Sequence, residues 1–133
     1  MKRLVADLET DGLLDKVSKI HCGATLDVDT GEFKSFGPHE IPALLAELKS
    51  AQVLIGQNIC GFDLPVLERL CGYEIGAQQY IDTKAMSYVH YPGDTLKIRD
   101  FAFRAKHGED ALPGNLVGWH SLKAWSYRLR LGD

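Results

Sequence analysis

At 133 residues, with 45% apolar and 25% charged residues, the chain has the size and composition of one ordinary globular domain, which excludes disordered and collagen-like classes. A net charge of −3 does not announce a nucleic-acid binder, and no run approaches the ~18 apolar residues needed to span a bilayer. The start MKRLVADLET is basic, but Asp7 and Glu9 interrupt any apolar signal region, so the expected location is cytoplasmic with no membrane partner.

The charge is unevenly spread. Residues 1–83 carry 7 Lys/Arg against 13 Asp/Glu, and residues 84–133 carry 8 against 5. Such a division places anionic ligands beside a cation-neutralised acidic site, and it also arises by chance. Cys22, Cys60 and Cys71 form neither an even disulfide set nor a close metal-ligand pair, and are read as reduced, packed thiols.

In chain order, RLVADL reads as a first strand with Leu4, Ala6 and Leu8 on one face and Val5, Asp7 and Glu9 on the other. KIHCGATLDV and TGEFKSFG follow as second and third strands, joined by a turn at Asp29-Thr30-Gly31. HEIPALLAELKSA sets Ile41, Leu44, Leu45 and Leu48 at helical spacing, with Pro42 in the first turn. QVLIGQN is a short continuous apolar strand, suited to burial on both faces. FDLPVLERLCG reads as a helix stopped by Gly72, QYIDT as a further strand, and KAMSYVHY as a helix ended by Pro92. The remainder reads as helical around a turn-rich KHGEDALPGN, and closes on HSLKAWSYRLRLGD with Leu122, Trp125 and Leu129 on one stripe. A meander of three strands, then helix, strand, helix, strand and a helical tail predicts one α/β domain over residues 1–133, a mixed central sheet flanked by helices.

Asp7 and Glu9 are two apart, so a strand points both carboxylates to the same face. Two acids held that close repel unless a proton or cation intervenes, and hard oxygen donors suit Mg²⁺ or Mn²⁺. The competing reading is an edge strand with a charged outer face. Asp63 stands at the entrance of a helix that follows a buried strand, where open α/β sheets tend to bind ligands, and it could there join Asp7 and Glu9. An N-cap role accounts for Asp63 alone, but less well for the polar Gln57-Asn58 pair after an apolar strand.

The segments DLETDGL, GQNICGFD and YIDT, in this order and spacing, resemble the proofreading 3′–5′ exonuclease domain of family-A DNA polymerases. That domain belongs to the DEDD, or DnaQ-like, superfamily with a ribonuclease-H-like fold. Asn58 and Asp63 are spaced as in phage-type polymerases, and the His-x-Leu-x-x-Trp-x-x-Arg-Leu pattern from His120 to Leu129 is similar to the same phage group. The resemblance implies that Asp7, Glu9 and Asp63 are catalytic metal ligands and that Asn58 orders the loop before Asp63. It places Thr10 beside the terminal nucleotide and makes Leu13 an apolar wedge against its base, although Thr10 also reads as a turn former and Leu13 as core. It further implies a two-cation Mg²⁺ or Mn²⁺ site that activates a water and stabilises the departing 3′ oxygen. The substrate would be a single-stranded DNA 3′ end with little sequence preference, releasing nucleoside 5′-monophosphates; an RNA substrate is the neighbouring alternative. Lys97, Arg99, Arg104, Lys106, Lys123, Arg128 and Arg130 are candidates for backbone contacts, or form a solvated helix face.

The family's third motif, a Tyr or His followed four residues later by Asp, has no clear copy. Tyr127 is followed by Leu131, His90-Asp94 spans Pro92, Asp133 is the last residue, and Asp82 lies in an Asp-Thr segment read as structural. The expectation is a domain truncated before its third-motif helix. Three accounts follow: a split polymerase fragment completed by a separate polymerase chain, a free-standing nuclease with a depleted site or with Asp82 or Asp94 recruited, or an inactive binding module.

Overall fold

A computed structural model describes residues 1–131, and Asp133, weighed above as a stray carboxylate, lies outside them. The chain resolves into two compact units, Met1–Thr83 and Lys84–Asp133.

The first unit is built on five strands: β1 (Arg3–Thr10), β2 (Ile20–Asp27), β3 (Phe33–Phe36), β4 (Val53–Gly56) and β5 (Gln79–Asp82). Their order is β3-β2-β1-β4-β5, with the β1–β2 and β2–β3 pairs antiparallel and the β1–β4 and β4–β5 pairs parallel. The mixed sheet anticipated from the element order is therefore present. Asp27 accepts from the amides of Asp29 (2.8 Å) and Thr30 (3.1 Å), and Gly31 takes φ +74°, which forms the expected β2–β3 turn.

β1 alternates as its sequence dictates. Leu4, Ala6 and Leu8 are buried, while Val5, Asp7 and Glu9 are exposed. The buried residues join one core with α1 (Ile41–Ser50) and α2 (Asp63–Cys71), contributed chiefly by Leu44, Leu48, Leu64, Val66 and Leu67. Gly23 lets α1 close on the sheet, since a Cβ there would lie 2.5 Å from a Leu44 methyl. α2 stops at Gly72, in the left-handed region at φ +62°.

The second unit carries α3 (Thr83–His90), which starts at the boundary, then α4 (Thr95–His107), two short 3₁₀ turns and α5 (Leu122–Leu129). Asp94 sits at the N-cap of α4 and His90 ends α3. No described helix is long and apolar enough to cross a membrane.

Two sequence expectations need correction. In α5, Leu122 and Leu129 are exposed, and the buried residue is Ala124. The reason is polar: Arg128, one turn after Ala124, pairs with Asp100, a residue only 2% exposed on α4, and that pair fixes the helix's rotation. The cysteines are free thiols, as expected, but Cys60 is exposed rather than packed.

Candidate functional site

The acidic face lies where β1 outruns its parallel neighbour. β4 pairs with β1 only across Arg3, Leu4 and Val5, so backbone groups further along that edge need other partners. Gly56 ends β4 against this edge; a Cβ there would stand 3.0 Å from the Ala6 carbonyl and 2.9 Å from Ile59 Cβ. The chain then leaves the sheet, and Asp63 returns in the first turn of α2. Its Oδ1 accepts the Leu8 amide at 3.1 Å, supplying the acceptor that β4 no longer offers.

This bond separates the alternatives for Asp63. The carboxylate does not cap its own helix, whose N-cap residue is Phe62 with no side-chain cap bond. It reaches across to β1 and is 5% exposed. Burial, followed by the negative field of Asp7 and then of Asp82, pushes its carboxyl up to about 7. Asp7 is also raised, first by partial desolvation and then by Glu9, while the Leu8 amide pulls it back down. Asp7 is the more exposed of the two carboxyls, and both are held above the ordinary carboxylate range.

Asp7, Glu9 and Asp63 therefore form a chain of mutually repelling oxygen donors on one edge, the chemistry that hard divalent cations satisfy. The fit extends to donor type and to the unrelieved repulsion. It does not extend to a closed cluster: among the described residues, no three His, Cys, Asp or Glu side chains are grouped to hold a metal ion. Asp94 lies in the other compact unit, and Tyr127 leads only to the end of α5 at Leu129.

Two loops frame the edge. Between β1 and β2, a register shift after Glu9 turns the chain out of the sheet. The Thr10 hydroxyl donates to the Gly12 carbonyl at 2.9 Å, so this residue acts as the turn former. Asp11 accepts the amides of Ser18 (2.9 Å) and Lys19 (3.0 Å) and the Ser18 hydroxyl, which lowers its carboxyl to about 2 and leaves it no ligand role. Arg69 on α2 donates to the Leu14 carbonyl at 2.8 Å and fastens the same loop. Leu13, held between these braces, is 76% exposed and so is not a core residue.

The second loop runs from β4 to α2. Asn58 adopts φ +62°, a left-handed conformation that asparagine tolerates better than most residues. Its side chain folds over Gly61, where a Cβ would meet Asn58 Oδ1 at 2.8 Å. The Asp82 carboxylate, at the end of β5, accepts the Asn58 amide at 3.0 Å on one oxygen and the Cys60 amide at 3.1 Å on the other. Asp82 is thus engaged structurally, as its Asp-Thr setting suggests.

The second unit has its own polar core, which accounts for the tail motif. Trp125 Nε1 donates to Ser87 Oγ at 2.9 Å, and Ser87 Oγ lies 2.7 Å from His120 Nδ1. Burial and then Arg128 lower the His120 pKa. Arg128 meets Asp100 through two 2.7 Å bonds and donates to the Trp119 carbonyl at 2.8 Å, while Gly118 donates to Asp100 at 2.7 Å. Arg128 is therefore withdrawn from the set of nucleic-acid contacts. Asp100 was not singled out from sequence; its signal was an acid within the amphipathic stretch TLKIRDFAFRAKH. A cleft of about 440 Å³ in this unit is lined by Tyr91, Arg99, Phe103, Lys106 and Trp125, among others.

This architecture, a mixed five-stranded sheet flanked by helices, is the ribonuclease-H-like fold. It is similar to the family B DNA polymerase of the archaeon Pyrobaculum calidifontis (TM-score 0.53, 16% identity, 98% of this chain and 22% of that one). It is likewise similar to E. coli ExoI in complex with single-stranded DNA, in a zinc-bound form (TM-score 0.56, 16% identity, 94% and 34%) and a metal-free form (TM-score 0.52, 18% identity, 92% and 35%). No protein-family model matches the chain. By sequence the chain is homologous to phage DNA polymerases: it is 34% identical to the DNA-directed DNA polymerase of Enterobacteria phage T3 and 32% identical to that of Escherichia phage T7. Each alignment covers 95% of this chain, and the chain spans about 19% of the length of either relative. The phage-type exonuclease resemblance read from the motifs therefore stands.

Proposed function

We propose that this chain is a metal-dependent 3′–5′ exonuclease domain of the proofreading type, removing nucleoside 5′-monophosphates from single-stranded DNA 3′ ends. The observation that carries this reading is the buried Asp63 carboxylate bonded to the Leu8 amide, which stands between Asp7 and Glu9 on β1. A buried carboxyl raised to about 7 beside a second carboxylate is an arrangement that a divalent cation relieves. The likeness to phage polymerases and to the exonuclease fold supports the same chemistry.

In this account Asp7, Glu9 and Asp63 hold Mg²⁺ or Mn²⁺. Such a cation supplies an acidified water and charge stabilisation for phosphodiester hydrolysis. The protein's own residues provide position. The Leu8 amide fixes the Asp63 carboxylate, and the Asn58 turn delivers Asp63 from β4. The Thr10–Gly12 bond and the Asp11 brace present Leu13 to the terminal base, which it unstacks by apolar contact. A separate polymerase chain is a proposed partner.

The test incubates purified protein with 5′-labelled single-stranded DNA or RNA and Mg²⁺ or Mn²⁺, alone and with the polymerase chain added in trans. Stepwise shortening that Asp7→Ala abolishes is the expected result. Shortening that survives in Asp7→Ala indicates a contaminant and removes the support. No shortening under any of these conditions overturns the reading, and preference for RNA overturns its DNA assignment.

A further inference from the structure

Asp82 takes no part in the metal set, yet its carboxylate is committed at both oxygens to one short loop. Oδ1 holds the Asn58 amide at 3.0 Å and Oδ2 the Cys60 amide at 3.1 Å. These bonds are charge-assisted and span 24 and 22 residues of sequence, so they join β5 to the β4–α2 connection. The next residue reinforces the link, with the Thr83 hydroxyl 3.4 Å from the Gly56 carbonyl.

The loop so held is the one that aims Asp63. It contains the left-handed Asn58 and the close-packed Gly61, and it closes on itself through the Asn58 carbonyl, which accepts from Gly61 (3.0 Å) and Phe62 (2.9 Å). A left-handed non-glycine residue is unfavourable on its own and persists only where its surroundings over-determine it. Asp82 supplies that restraint at Asn58 itself. Asp63 follows directly, and its Oδ1 meets the Leu8 amide at 3.1 Å.

We infer that Asp82 is a positioning residue: through the Asn58 and Cys60 amides it sets the place of the Asp63 carboxylate against β1, and thereby the donor geometry of the acidic edge. The metal part of this inference rests on the proposed function; the positioning part does not. Its reporter is the Leu8 amide, which lies beyond the β4 pairing and is bonded to Asp63.

The experiment measures amide hydrogen exchange residue by residue in the full chain and in Asp82→Ala and Asp82→Asn, at a temperature where all are folded by circular dichroism. In Asp82→Ala, the Asn58, Cys60 and Leu8 amides are expected to exchange about tenfold faster or more, as loss of a charge-assisted bond implies, while Leu54 and Leu67 keep their protection. Asp82→Asn retains one carbonyl acceptor and is expected to fall between. If Asp82→Ala does not fold, Asp82→Asn alone carries the measurement, with Leu8 acceleration expected. Unchanged Leu8 exchange overturns the inference, and so does equal acceleration at every site, because that is loss of global stability alone. A Mn²⁺ titration forms the second arm: affinity is expected to drop about 10–100-fold in Asp82→Ala, as for other groups that orient ligands. Absence of Mn²⁺ binding to the unaltered protein counts against the proposed function, and the Leu8 readout still decides the role of Asp82.

Discussion

The Asp63 carboxylate accepts the backbone amide of Leu8 at 3.1 Å, across 55 residues of sequence. That bond explains how a buried acid persists at a sheet edge. It satisfies an amide that β4 no longer covers. It also brings Asp63 to β1 beside Asp7, whose negative field adds to burial in raising the Asp63 carboxyl.

The first prediction concerns pH. The folded-state pKa of Asp63 lies above its unfolded value, so the folded state binds the proton more tightly. Its contribution is fully present below about pH 4 and is lost as pH rises through about 7. Without divalent metal, the melting temperature should fall between pH 5 and pH 8 by an amount on the order of 2–4 kcal/mol in stability. Asp63→Asn, which keeps the acceptor for Leu8, should flatten that slope and be the more stable protein at pH 8. Thermal denaturation across this range checks both.

Divalent metal should reverse the slope. Mn²⁺ or Mg²⁺ should raise the melting temperature more at pH 8 than at pH 5.5, because the cation competes with the proton. Asp7→Asn should lose most of this effect. Equal stabilisation at both pH values would count against a carboxylate site.

The loop carrying Leu13 gives a third prediction. Asp11→Ala removes three bonds to Ser18 and Lys19 at an exposed position, so melting should move little near neutrality. The Asp11 carboxyl is depressed, so its contribution is present above about pH 4 and lost as pH falls through about 2. Leu13→Ala, at an exposed site, should leave stability within about 0.5 kcal/mol and still slow removal of a 3′ nucleotide. Denaturation curves paired with exonuclease rates separate the two effects.

In the second unit, Asp100 and Arg128 form a buried ion pair with side chains 2% and 7% exposed. Arg128→Ala should destabilise by about 3–5 kcal/mol because it strands the Asp100 charge. The double variant Asp100→Leu with Arg128→Met should recover much of that loss. Far-ultraviolet circular dichroism during denaturant unfolding reads both.

The sheet was legible because its signals are local: alternation in RLVADL, the Asp29-Thr30-Gly31 turn, and Gly72 at a helix end. The acids Asp7 and Glu9 share a face by strand geometry alone. What sequence could not supply was long-range partnership. An N-cap role accounts for Asp63 by itself in sequence, and only its long-range bond to Leu8 decides against it; Asp11 differs from its acidic neighbours only through Ser18 and Lys19. The rotation of α5 is hidden from sequence for the same reason. Apolar periodicity favoured Leu122 and Leu129, while the buried Asp100 dictated that Arg128 face inward.

The most direct test is calorimetric titration of Mn²⁺ into the protein near pH 6.5, in buffers of differing ionisation enthalpy. The account predicts binding that releases a fraction of a proton, with the release vanishing by pH 8.5 and both effects lost in Asp63→Asn. Binding without proton release, or release that persists in Asp63→Asn, would contradict the central claim that Asp63 and Asp7 together hold the cation.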